Sequence, residues 1–203
     1  MEEPRTLRPQ EIPRAAHVLS RAFYHDPFWR WLAPPDARYR QRLENAFAAQ
    51  LRLLALPRGL VLSAPQLAGL ALWSPPGTWD AGVVMQLRSL PTLLSVCGPA
   101  RFPSRMRGLR QIQAMHPRAP HWYLQVLGVD PEERGRGWAR RLLQPVLERC
   151  DREAMPCWLE TAAEENLSLY RRFGFEVTDA IQLPAQGPSL WGMWRPAGGK
   201  NNL

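Results

Sequence analysis

The chain has almost no lysine. Lys200, in the tail, is the only one, so arginine supplies the rest of a basic surplus that reaches +8 over 203 residues. The phosphate-binding loop Gly-x-x-x-x-Gly-Lys-[Ser/Thr] is therefore absent. Cysteine is scarce as well. Cys97, Cys150 and Cys157 are odd in number and lack metal-ligand spacing. They read as reduced, mostly buried thiols of a cytoplasmic protein without a metal site. Long hydrophobic runs are missing too: the most apolar stretch, Gly59 to Trp73, is cut by Pro65 and Gln66 and is too short to span a bilayer. The first residues, Met1-Glu-Glu-Pro-Arg, lack the basic-then-apolar order of a signal peptide. No internal repeat or low-complexity segment stands out.

The positive charge is scattered over Arg38–Arg42, Arg101–Arg110, Arg134–Arg141 and Arg171–Arg172. There is no zinc-finger spacing, RNA-recognition signature or sustained basic face, and nucleic acid is not an expected partner. An anionic cofactor would use part of this charge and be steered by it. Hydrophobic content of 45% and charged content of 22% describe a globular chain, long enough for a substantial core in one domain over 1–203.

Strands and helices alternate along it. Arg5–Pro9 reads as a short strand, and Ile12, Ala15, Ala16, Leu19, Ala22 and Phe23 keep helical spacing up to His25-Asp26-Pro27. A long helix is expected over Asp36 to Leu56, then strands at Leu60–Ser63 and Ala68–Ser74. Val83–Ser95 and Arg105–Met115 read as an inserted helical pair. Tyr123–Val129 follows as a strand, then a helix from about Gly137 to Arg152 with Pro145 inside it. Cys157–Thr161 reads as a strand, and Asn166–Phe173 as a short helix stopped by Gly174. Phe175–Leu183 and Ser189–Arg195 close the chain as a hairpin.

The most informative residues are 122–139. An alternating apolar run ends at Val129, a turn follows at Asp130-Pro131, and a glycine arch opens onto a helix. Such an arch aims backbone N–H groups at one spot, where the helix dipole adds positive charge. Arg134 and Arg136 add full charges. The physical reading is a pyrophosphate cradle; an ordinary strand-to-helix loop is the alternative. A Rossmann fingerprint fails because position 140 is Arg140.

Arg134-x-x-Gly137-x-Ala139 resembles the acyl-CoA signature of the GNAT N-acetyltransferase superfamily. A second cluster agrees with it: Asn166, Tyr170, Gly174 and Phe175 stand where that superfamily places Asn, Tyr and Gly-Phe. From Ala119 to Pro196 the chain is similar to puromycin N-acetyltransferase and its relatives, through Leu127-Gly-Val129, the arch, Pro145, Leu159-Glu160-Thr161 and Tyr170–Phe175. The resemblance implies a mixed α/β (α+β) fold, with a mostly antiparallel central sheet of about seven strands, flanking helices and a helical insert between strands three and four.

It also implies acetyl-CoA as co-substrate and transfer of an acetyl group to a primary amine of a small molecule. The cofactor would meet Leu127 and Val129 on a strand splayed from its neighbour. It would also meet the arch residues Arg134, Gly135, Arg136, Gly137, Trp138 and Ala139, together with Asn166 and Tyr170. Tyr170 becomes the general acid for the thiolate. Relatives carry a base at the positions of Trp122, Tyr123 and Leu124, where none of these residues can serve. Glu160 is favoured instead, with His121, Asp26 or a water relay as alternatives. Phe28, Trp29, Trp31, Trp73, Trp79 and Trp122 are expected around an amphipathic or aromatic acceptor, whereas Arg101, Arg105 and Arg107 would suit an anionic one. Acetylation of a protein or peptide amine, and a CoA-binding regulator without catalysis, are the competing functions. Oligomeric state is not expressed in the sequence.

Overall fold

The computed structural model describes residues 3–79 and 82–198, with backbone alone for 82–88. Lys200 lies outside them. Seven strands form one sheet: β1 (Arg5–Thr6), β2 (Leu60–Ser63), β3 (Gly69–Ser74), β4 (Trp122–Val129), β5 (Cys157–Thr161), β6 (Glu176–Gln182) and β7 (Ser189–Arg195), in the order β1-β2-β3-β4-β5-β7-β6. Only β4 and β5 run parallel; every other neighbouring pair is antiparallel. The first strand is shorter than expected because Pro9, which lacks an N–H for a ladder, starts a 3-10 turn through Glu11.

Helices α1 (Ile12–Ala22), α2 (Pro27–Leu32) and α3 (Tyr39–Gln50) follow β1. The long helix after Pro35 is not uniform. It loosens into a π-helical turn at Leu51–Ala55 before the single turn α4 (Leu56–Arg58), where Pro57 lacks an N–H for the ladder. The insert between β3 and β4 is α5 (Gly82–Cys97) and α6 (Phe102–Met115). After β4 come α7 (Trp138–Arg152) and, after β5, α8 (Glu165–Arg172). Helix α7 continues through Pro145, carried by the buried stripe Leu142, Leu143, Val146, Leu147 and Cys150.

The sheet separates two apolar layers. On one face Leu70, Leu72 and Val126 pack with Leu19, Leu43, Phe47 and Leu51 of the α1–α3 region. On the other, Ala71, Trp73, Trp122 and Leu124 pack with the buried stripe of α7 and with Tyr170 and Phe173. One irregularity in β4 positions everything that follows. Leu72 lies opposite Val126 and Trp73 opposite Leu124, so Gln125 is an extra residue, a β-bulge. Before the bulge, Trp122 and Leu124 belong to the α7 face. Past it Val126 belongs to the α1 face and Leu127 leans on the α7 face.

Candidate active site

The bulge coincides with a parting of strands. β4 pairs with β5 only through Trp122–Cys157, Tyr123–Trp158 and Leu124–Leu159, although β4 stays paired with β3 out to Val129. Beyond Leu124 the β5-facing edge of β4 has no strand beside it, and its N–H and C=O groups are open to an extended ligand. Leu127 and Val129 stand on that free length, both half-buried.

The arch lies at the end of the gap. Asp130 caps the 3-10 turn at Pro131–Glu133 by accepting from the Glu132 N–H at 3.0 Å. Gly135 and Gly137 then take φ of 77° and 76°. A Cβ at either would meet no atom within 4 Å, so the backbone conformation, not crowding within the chain, demands glycine. Residues 134–137 are exposed, and the first-turn N–H groups of α7, which start at Trp138, have no partner inside the helix. The two arch arginines point elsewhere than the sequence reading placed them. Arg134 donates to the Ala22 carbonyl at 3.0 Å, and Arg136 pairs with Glu133 at 2.9 Å. Trp138 packs partly into the α7 core, with Arg141 over its ring, while Ala139 is half-buried.

A cleft of about 430 Å³ opens from the strand gap toward α2, α3 and the insert. Leu127, Glu160, Asn166 and Tyr170 line it, so the structure brings these sequence-selected residues together; Asp26 lines it from the α2 side. Tyr170 is buried, and burial, reinforced by the negative charge of Asp26, pushes its phenol well above the usual tyrosine range. Asp26 caps α2 through the Trp29 N–H at 3.1 Å. Burial pushes its carboxyl up to about 6, against the pull of the Trp29 and Phe28 amides and with help from Glu165. Asp26 and Glu160 are the only formally charged side chains that line this cleft among the described residues, and both are acidic. The rest is mainly apolar.

The aromatic expectation needs correction. Phe28 and Trp29 line the cleft, but Trp73 and Trp122 are buried on the opposite face of the sheet. Trp31 is core, its Nε1 donating to the Pro184 carbonyl at 2.8 Å. Arg105 is also buried, with its guanidinium 4.6 Å from the Trp31 ring centroid, and it does not line the cleft. These positions carry the same amphipathic signal whether they face core or ligand.

Glu160 has a setting that the sequence did not reveal. Its Oε1 accepts from Trp158 Nε1 at 2.8 Å and lies 3.2 Å from Nδ1 of His116. Tyr123 also hydrogen-bonds to it, and burial with the adjacent Glu160 charge holds the Tyr123 phenol neutral. His116 in turn touches His121, Nε2 to Nε2 at 2.9 Å, and His121 Nδ1 lies 2.6 Å from the Ala119 carbonyl. His121 is thus not an exposed loop residue but 1% exposed, and burial lowers its pKa. His116 escaped the sequence reading because two histidines five apart across Pro117-Arg-Ala-Pro120 match no helix, strand or metal spacing.

A mixed sheet whose two parallel strands part beside a glycine arch, with a tyrosine and an asparagine facing the gap, defines an acyl-CoA-dependent transferase class. A model of the acetyltransferase (GNAT) family matches residues 98–175. An uncharacterized N-acetyltransferase of Schizosaccharomyces pombe is 29% identical over 183 residues, 86% of this chain and 74% of the relative. A Corynebacterium glutamicum structure, a histone acetyltransferase HPA2 and related acetyltransferase, superposes with a TM-score of 0.71 at 26% identity, over 97% of each chain. Arylalkylamine N-acetyltransferase 2 from Aedes aegypti shares the fold, with a TM-score of 0.62 at 13% identity over 96% of this chain and 98% of that one. Residues 98–175 thus carry the match to the acetyltransferase (GNAT) family, and over most of its length the chain is similar to N-acetyltransferases.

Proposed function

We propose that the chain moves an acetyl group from acetyl-CoA to the primary amine of a small, amphipathic, cationic molecule by direct attack, acting as one domain. The observation that carries this reading is the cleft: a largely apolar chamber of about 430 Å³, within the size range of small-molecule sites, whose charged lining is two carboxylates. In a chain of net charge +8, that local reversal of sign selects an ammonium group.

Acetyl-CoA supplies an activated thioester. The residues present fit it: the free edge at Leu127 and Val129 offers backbone groups to its extended arm, and the exposed arch from Arg134 through Ala139 offers amides to its pyrophosphate. Asn166 adds a side-chain amide beside the arm. An amide of the free edge would also hydrogen-bond the acyl oxygen as negative charge develops on it. The acceptor nitrogen forms its bond to the acyl carbon as the carbon–sulfur bond breaks, and Glu160 takes the surplus ammonium proton. Tyr170 serves the departing sulfur. Even an unperturbed phenol, at about 10, is roughly 2 kcal/mol short of freely protonating a thiolate near 8.5. Burial widens that gap, so its first contribution is a hydrogen bond to the developing thiolate.

The test is CoA release from acetyl-CoA across arylalkylamines, polyamines, aminoglycosides, puromycin and peptides. Release with apolar-bodied amines is the expected result. Turnover confined to peptides would replace the small-molecule acceptor with a protein one.

A further inference from the structure

Behind Glu160, one layer away from the cleft, the hydrogen bonds permit few proton arrangements. A carbonyl only accepts, so the 2.6 Å contact with Ala119 places a proton on His121 Nδ1. Neutral His121 then has a lone pair on Nε2, and the proton in its 2.9 Å contact with His116 belongs to His116 Nε2. What remains is the 3.2 Å contact between His116 Nδ1 and Glu160 Oε1, which needs one proton to be attractive. Trp158 and Tyr123 both direct donors at Glu160. An imidazolium beside a carboxylate satisfies every one of these contacts, with side chains 3% and 7% exposed. Among the described residues, the titratable groups facing this pair are His121 from the loop and Tyr123 from β4. Trp79 covers the His116 ring, centroids 3.7 Å apart, and Trp158 lies edge-on at 6.1 Å.

We propose that His116 is a positioning residue for Glu160, and that the ammonium proton is taken up by the chain Glu160–His116–His121, not by the carboxylate alone. This rests on Glu160 facing the acceptor. The two imidazoles behind Glu160 let the added charge spread beyond the carboxylate. The acceptor N–H bond breaks as an O–H bond forms on Glu160. The His116 Nε2–H bond breaks as an N–H bond forms on His121 Nε2. The chain passes from neutral to one positive charge, which rests on His121, buried beneath Ala119. The start is restored when the Glu160 O–H bond breaks, its proton leaving to water in the cleft, and the His121 Nε2–H proton returns to His116 Nε2.

The imidazole nitrogens report directly. In full-length protein with ¹⁵N-labelled histidine near neutral pH, His116 should show both nitrogens protonated and His121 the neutral Nδ1–H form. In Glu160→Gln, His116 should keep only its Nε2 proton. A neutral His116 in the unaltered protein overturns the proposal without touching the transferase reading, because no acceptor is needed. In turnover, His116→Asn should lose about tenfold to a hundredfold in kcat. The pH dependence should change, while KM for both substrates stays within about twofold. An unchanged kcat and pH profile would make His116 merely structural. Should that variant not fold, the labelled wild type decides. Absence of CoA release from any amine by the wild type would instead sink the reading beneath.

Discussion

Tyr170 and Asp26 face one another's fields across the cleft, and their perturbations have opposite uses. Burial and the Asp26 charge keep Tyr170 as a phenol, the only form that can donate to sulfur. Tyr170→Phe is expected to lower kcat by about 10²–10³-fold, the range for losing one hydrogen-bond donor to a developing negative charge, with KM for acetyl-CoA nearly unchanged; steady-state CoA release measures both. For Asp26, burial raises the folded-state carboxyl from 3.8 to about 6, so the native state binds the proton more tightly than the unfolded chain. That contribution favours folding below pH 4 and disappears as pH rises through 6, leaving a charged group held at a cost of about 1–3 kcal/mol. Asp26→Asn keeps a side-chain acceptor for the Trp29 N–H, since asparagine caps helices well. Its melting temperature should match wild type near pH 4 and exceed it near pH 8, while KM for a cationic acceptor rises. An identical gap at both pH values would remove the burial argument.

At the scale of elements, the proposed reading has the gap between β4 and β5 and the arch before α7 divide the work of holding one extended, anionic ligand. The arch depends on backbone shape. Gly137→Ala forces an L-residue to φ near 76° in otherwise open space, a penalty of about 1–2 kcal/mol. The expected outcome is weaker acetyl-CoA binding by calorimetry and a modest fall in stability, with acceptor KM unaffected. If acetyl-CoA affinity survives unchanged, the arch does not hold the pyrophosphate. The neighbouring β4 shows where pattern reading stops. Its alternation identified the strand, yet the bulge at Gln125 exchanges which residues face which layer. A bulge is set by pairing with β3 and by packing on both faces, so nothing within 122–129 announces it.

Over the whole molecule, the net charge of +8 would act on two proposed substrates of opposite sign. Raising salt from about 0.01 M to about 1 M shortens the screening length from about 30 Å to about 3 Å. kcat/KM for acetyl-CoA should fall across that range, and kcat/KM for a cationic amine should hold or rise, as initial rates would show. A parallel fall in both would mean that the acceptor does not carry the charge assigned to it. Among the described residues no helix is long and apolar enough to cross a membrane.

Much of this architecture was legible in one dimension. Helices and strands follow local periodicity, and the arch and the Asn166–Phe175 segment are short-range motifs whose chemistry is contained in adjacent residues. The sequence alone thus determined the order of the strands and of the longer helices, the resemblance to acetyltransferases, and the choice of Tyr170 and Glu160 as candidates. Only the tertiary structure decided which aromatic side chains face the cleft, that Asp26 comes near Tyr170, and that Glu160 is tied to His116, 44 residues upstream, and through it to His121. The reason is physical: burial and electrostatic coupling depend on distances between segments remote in the chain, and residue order carries no direct record of them.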